Sequence, residues 1–265
     1  MTTAEERVRR LLAGAARLSR PDDPLGRSLR AALESTCPLS REGVELALTR
    51  HLEVDPSPGE LRALLDRAVP VPRGHVALSA QVFVGALRAI AVALAASPDV
   101  TVRPSRRDPE MTLHLARAAP GLFRIAARLE PRAGETLWSY GGDAALSAID
   151  RALPGGVRHL PHGPGIGVVV VDAAVLGSPG ALVELAEAIA RDVVPFDQRG
   201  CLSPRIVLVE GPGEAARELG VEIARALDRA ERAVPPGAAT EEERAAIRRY
   251  RDSVLVSGEL LPAGS

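Results

Sequence analysis

The chain has 265 residues, enough for one large domain or two small ones around a sizeable core. A net charge of −1 and an aromatic content of 2% argue against nucleic acid as a partner, which would need basic patches or rings to stack on bases. No apolar run reaches the about 18 residues of a membrane span, and Met1 to Arg10 lacks the apolar centre of a signal peptide, so the sequence reads as soluble and cytoplasmic.

All 33 basic residues are arginine, and asparagine is absent too, a composition that GC-rich codon usage produces. The lack of lysine excludes Schiff-base chemistry, a P-loop lysine and a Ser–Lys pair. The two cysteines, Cys37 and Cys201, are far apart in a chain read as cytoplasmic, so a structural disulfide is not expected.

The first seventy residues read as helices. Thr3 to Leu18 places Val8, Leu11, Leu12 and Ala15 at helical spacing, with Glu5 and Glu6 in the first turn. Pro21 and Pro24 read as a break. A second run starts at Ser40, and a third spans Pro58 to Ala68. Pro70 and Pro72 mark a boundary, giving a helical segment over 1–70.

Short apolar strands then alternate with helices. Strands are expected at Gly74–Ser79, Asp99–Arg103, Arg124–Leu129, Thr136–Ser139, Gly156–Leu160, Gly167–Asp172 and Pro204–Glu210. Helices are expected at Val82–Ala96, from Asp108-Pro109, and at Asp143–Leu153, Pro179–Asp192, Glu214–Ala233 and Thr240–Asp252. Gly167–Asp172 is so apolar that it reads as buried on both faces. The alternation specifies an α/β fold, a mostly parallel sheet flanked by helices, with an α/β region over 71–192 and a further region over 193–265.

Cys201 lies in Phe196-Asp197-Gln198-Arg199-Gly200-Cys201-Leu202-Ser203-Pro204, a polar, glycine-containing loop between a helix and a strand. Such a loop can offer a thiolate access to substrate and donors for a developing oxyanion, although a lone cysteine also serves as a small buried hydrophobe. Cys37, at a helix end, reads as structural. His159 and His162 are spaced i, i+3, but no third ligand lies nearby in sequence and no metal is expected. No Gly-x-Ser-x-Gly elbow is present, which speaks against an α/β-hydrolase.

The Phe196–Pro204 segment resembles the active-site segment of the acyl-CoA reductases of the bacterial luciferase system, within the aldehyde dehydrogenase superfamily. Gly74 through Ala96 is similar to that family's first cofactor-domain strand and helix, and Val100 through Pro109 to the loop on the adenosine ribose side. Trp138-Ser139-Tyr140-Gly141-Gly142-Asp143 and Leu160-Pro161-His162-Gly163 agree in order and spacing, so the likeness covers about 70 to 212.

The resemblance implies an aldehyde-dehydrogenase-like fold with a truncated catalytic lobe. It implies reduction of a fatty acyl-CoA to aldehyde through an acyl group on Cys201, with NADPH, or else NADH, as reductant. Arg103, Pro104, Ser105, Gly141 and Gly142 would bind that cofactor. Arg103 stands where the family has lysine, with Arg106 and Arg107 nearby. No glutamate precedes Gly163, in keeping with a thiolate leaving group that needs no hydrolytic base.

Two positions depart from the family. Gln81 falls at the oxyanion asparagine, and Gly167 where a serine is usual. A homo-oligomer or a partner subunit would then complete the catalytic lobe. The alternative is a catalytically impaired homologue that binds nucleotide or serves in assembly.

Overall fold

Thr3 opens α1 (Ala4–Ser19) with a capping box, its hydroxyl accepting the Glu6 amide while the Glu6 carboxylate accepts the Thr3 amide. Val8, Leu11, Ala15 and Leu18 line its buried face. In the computed structural model, which describes residues 2–79, 82–177 and 179–259, a further helix, α2 (Pro24–Thr36), begins where the sequence reading placed only a break. The Asp23 carboxylate accepts the Leu25 amide, and Pro24 occupies the first turn, where its missing N–H costs nothing. α3 (Arg41–Leu46) runs into a π-helical turn over Ala47–His51, and α4 (Pro58–Arg67) starts from a second capping box, Ser57 with Glu60.

The chain then alternates β1 (Gly74–Ala77), α5 (Gly85–Ala96), β2 (Val100–Arg103), α6 (Glu110–Ala118), β3 (Arg124–Ile125), β4 (Thr136–Tyr140), α7 (Asp143–Ala152) and β5 (Arg158–His162). All five strands are parallel, in the order β3-β2-β1-β4-β5. Strand order reverses beside β1, and in sheets of this kind the crevice outside the strand C-termini at that point is where ligands bind. The expected strand Arg124–Leu129 shrinks to two exposed residues at the sheet edge. α5 begins at Gly85, with Ile90, Ala93 and Leu94 buried.

α1 packs on α5 and α6, α2 on α6 and α4 on α5. The compact unit therefore runs straight through residue 70. It joins the chain up to Cys37 with Val44–Pro164.

The second unit joins Pro38–Gly43 with the chain from Gly165 onward. It contains β6 (Gly167–Val171), a 3₁₀ turn over Ala173–Gly177, α8 (Pro179–Val193), a 3₁₀ turn over Pro195–Gln198, β7 (Pro204–Val209), α9 (Gly213–Ala233) and α10 (Glu241–Ser257). β6 and β7 pair in parallel. Val171, Ala186, Ala190, Leu219 and Ala226 form the core, with Val169, Val207 and Val209 packed on it. β6 is covered on this face alone. Val168 is 46% and Val170 75% exposed, as are Ile206 (45%) and Leu208 (53%) on β7, which corrects the reading of β6 as buried on both faces. The helices shield one side of the pair, and among the described residues nothing within this unit shields the other.

Candidate functional site

Cys201 is exposed and forms no disulfide. It sits in a tight turn closed by the Ser203 amide donating to the Gly200 carbonyl at 3.2 Å, just before β7. Two glycines make room for the turn. A Cβ on Gly167 would lie 2.5 Å from the Ser203 carbonyl oxygen and 2.9 Å from that of Leu202. A Cβ on Gly200 would lie 2.9 Å from the Ser203 hydroxyl. Gly165 passes close by, its Cβ position 3.3 Å from the Cys201 carbonyl oxygen.

Upstream of the turn, Phe196, Asp197 and Gln198 have φ of 60°, 50° and 60°, three successive left-handed residues without a glycine. Arg199 follows, and its guanidinium is engaged by two carboxylates, Asp197 at 2.9 Å and Glu243 at 3.0 Å. The Arg199 contact is the main reason that the Glu243 carboxyl falls to about 2. Cys37 is half-buried at the end of α2, its amide donating to the Leu33 carbonyl at 2.8 Å.

The remaining sequence-derived positions belong to the first unit. Gln81 lies outside the described residues. Arg103 ends β2 and, with Pro104 and Ser105, is partly exposed. The Ser105 hydroxyl accepts the Arg107 amide at 3.2 Å, which turns the loop, and Arg103, Arg106 and Arg107 form no ion pair among the described residues. Gly141 and Gly142 lead from β4 into α7, whose first turn has no side-chain cap. A Cβ on Gly142 would meet nothing within 4 Å, so packing does not demand glycine there. The Ala145 amide donates to the Gly142 carbonyl at 3.0 Å, which leaves the amides of Asp143 and Ala144 without a partner among the described residues.

The same strand ends hold features that sequence reasoning missed. Tyr140 and His162 stack with ring centroids 4.5 Å apart and planes 8° from parallel. Burial raises the Tyr140 hydroxyl to about 12 and lowers the His162 imidazole, so both rings are neutral near pH 7. The Ser139 hydroxyl lies 2.7 Å from His159 Nε2, and His159 Nδ1 lies 2.8 Å from the Asp150 carboxylate. A carboxylate can only accept, so Nδ1 donates to Asp150, and Nε2 pairs with the Ser139 hydroxyl. His159 and His162 thus have separate partners. The parallel pairing of β4 with β5 sets His162 opposite Tyr140 and His159 opposite Leu137, two residues before Ser139, a relation that sequence spacing does not show.

Asp108, at the end of the Arg103 loop, is buried, and one of its carboxylate oxygens has no partner. Desolvation raises this group from the ordinary 3.8 to about 6. The folded protein therefore holds a proton here at pH values where the unfolded chain has lost it. The contribution to stability is full below pH 3.8 and is lost as pH rises through about 6. Asp108→Asn is expected to flatten the stability profile between these values in urea titrations. A profile identical to that of the parent would refute the assignment.

Three comparisons bear on this arrangement. The acyl-CoA reductase (LuxC) family model matches residues 132–260, just under half of the chain, including Gly141-Gly142 and the Cys201 turn. No curated protein matches. Solved structures share the fold at low identity. A γ-glutamyl-γ-aminobutyraldehyde dehydrogenase from Burkholderia cenocepacia superposes with a TM-score of 0.69 at 16% identity, over 98% of this chain and 59% of that one. An NAD-dependent aldehyde dehydrogenase from Sinorhizobium meliloti gives 0.68 at 17%, over 98% and 58%. The NADP-dependent glyceraldehyde-3-phosphate dehydrogenase from Bacillus halodurans, solved with NADP, gives 0.66 at 16%, over 100% and 62%. The chain thus spans about three fifths of the solved structures it matches. Over 132–260 the chain is similar to the acyl-CoA reductases (LuxC), and its fold is that of aldehyde dehydrogenases.

Proposed function

We propose that this chain is an oxidoreductase that reduces a fatty acyl-CoA thioester to aldehyde, with Cys201 as nucleophile. The observation that carries the reading is the exposed thiol in a tight turn, inside a segment that matches the acyl-CoA reductase family. The Cys201 thiolate attacks the thioester carbonyl, a new C–S bond forms, and CoA leaves as its thiolate. A bound reduced nicotinamide supplies the hydride that takes the acyl group to the aldehyde. Departure of the aldehyde returns the Cys201 thiolate. Neither bond cleavage needs a strong base, because both leaving groups are thiolates.

A dinucleotide fits the first unit's strand ends. The uncapped start of α7 presents the amides of Asp143 and Ala144 to a pyrophosphate, and Arg103, Arg106 and Arg107, which form no ion pair among the described residues, offer guanidinium groups for a ribose phosphate. That cluster favours NADPH over NADH. Arg103→Glu is expected to weaken NADPH binding about tenfold or more, and NADH binding less, since a 2′-phosphate loses a cation and meets a carboxylate. Fluorescence titration of both nucleotides checks this, and equal affinities in variant and parent would place the site elsewhere.

The nucleophile is tested by its reactivity. Iodoacetamide is expected to alkylate Cys201 faster than Cys37 in the folded protein, since one thiol is exposed and the other half-buried. Peptide mass spectrometry across pH reads the two rates, and equal or reversed rates would sink the assignment.

The reading also includes a cytoplasmic location and a second polypeptide, a partner subunit or another copy, that completes the acyl-binding lobe. The exposed apolar face of β6 and β7 favours this. Robust acyl-CoA-dependent oxidation of NADPH by the isolated monomer would overturn that part alone.

A further inference from the structure

We infer that Arg199 is a positioning residue for Cys201, fastening the strained segment before the thiol to the first turn of α10. The inference rests on the nucleophile reading above. It begins with the backbone. A left-handed residue without glycine is strained, and three in succession relax unless their surroundings over-determine them. Phe196, Asp197 and Gln198 are such a run, and it ends three residues before Cys201.

The side chains supply the constraint. Arg199 Nη1 donates to Asp197 Oδ2 at 2.9 Å, and the same oxygen accepts the Gly237 amide at 3.1 Å. Arg199 Nε and Nη2 donate to the two oxygens of Glu243 at 3.0 and 3.2 Å, and Nη2 also donates to the Ala238 carbonyl at 3.1 Å. Every guanidinium nitrogen is therefore used. The fork can do this because it is planar and holds its donors at fixed angles, which an ammonium group does not.

The far end of the brace is equally fixed. Glu243 closes the capping box of α10 with Thr240. Gly237 lies so close to the Pro38 carbonyl that a Cβ there would be 2.0 Å from its oxygen, and the Ala238 amide donates to that oxygen at 2.7 Å. The side chain of Arg199 is 18% exposed, so these bonds are partly shielded from water. Arg199 adjoins Gly200, the first residue of the turn that carries Cys201, and so sets how that turn leaves the preceding segment.

Positioning and thiol chemistry can be separated by comparing two reagents. Iodoacetamide needs no oriented partner, whereas acyl transfer from octanoyl-CoA does. Arg199→Ala is expected to slow acylation of Cys201, read by intact-protein and peptide mass spectrometry, on the order of tenfold to a hundredfold. Its alkylation by iodoacetamide should stay within about threefold of the parent. Glu243→Ala should show the same loss, and the double variant no more than either, because the two residues act through one contact. Arg199→Lys should not restore the rate. Amide exchange over 196–203 should accelerate in Arg199→Ala and Glu243→Ala.

An Arg199→Ala protein that acylates at the parental rate, or exchanges these amides no faster, would overturn the positioning role while the nucleophile stands. A parent protein that takes no acyl group on Cys201 would overturn the nucleophile and this role together.

Discussion

Cys201→Ser is expected to lower aldehyde formation from an acyl thioester by about 10⁴-fold or more, the loss typical of deleting a covalent nucleophile. A serine hydroxyl at this position has no histidine or carboxylate bonded to it within the turn to take its proton. Its far higher pKa leaves it a poor nucleophile toward a thioester. The substitution keeps the shape of an exposed side chain, so the fold should be untouched. Single-turnover assays with peptide mass spectrometry read the acyl adduct directly. A variant that keeps more than about a hundredth of parental activity would move the nucleophile elsewhere.

Gly167→Ser, which introduces the residue usual in the family that the segment resembles, is expected to destabilise the second unit by about 1–3 kcal/mol, the range for forcing atoms into a packed site. Its Cβ would press on the Ser203 and Leu202 carbonyl oxygens, and backbone cannot rotate away as a long side chain can. The turn that carries Cys201 would have to shift, so slower labelling of Cys201 should accompany the lower melting temperature. An unchanged melting temperature and labelling rate would show that the turn yields freely. The departure at Gly167 is thus matched to the local backbone of this chain and is not in itself a mark of lost activity.

Local signals carried much of the fold. The strands around Val76, Val102 and Trp138 stood out because short β-rich runs alternated with capped helices, and such patterns are fixed by neighbours within a few residues. α2 is equally legible, since Asp23-Pro24 is an N-cap and first-turn proline pair, although Pro21 and Pro24 also read as breakers. Burial of β6 was not legible. A run of four valines looks alike whether one or two faces are covered, and only the packing of α8 and α9 decides.

The candidate site divides the same way. Cys201 and the Gly141-Gly142 turn are candidates on contiguous residues alone. The ties from Arg199 to Glu243 and from Asp197 to Gly237 span some forty residues, and nothing in the sequence near Cys201 announces them. The left-handed run at 196–198 was hidden for a related reason, because none of its residues is a glycine.

The Ser139–His159–Asp150 series has a consequence for how such molecules are sorted. Three side chains in this order, at these separations, satisfy a template for a hydrolytic charge relay. Access to solvent runs the wrong way for one, however: the Ser139 hydroxyl belongs to a residue that is 0% exposed, while the Asp150 side chain is 69% exposed. A nucleophile must meet its substrate, and here the acid faces water while the hydroxyl is sealed beneath the sheet. The series works as a strut that ties α7 to β4 and β5. A screen that matched atoms without asking what water can reach would misfile this chain as an esterase.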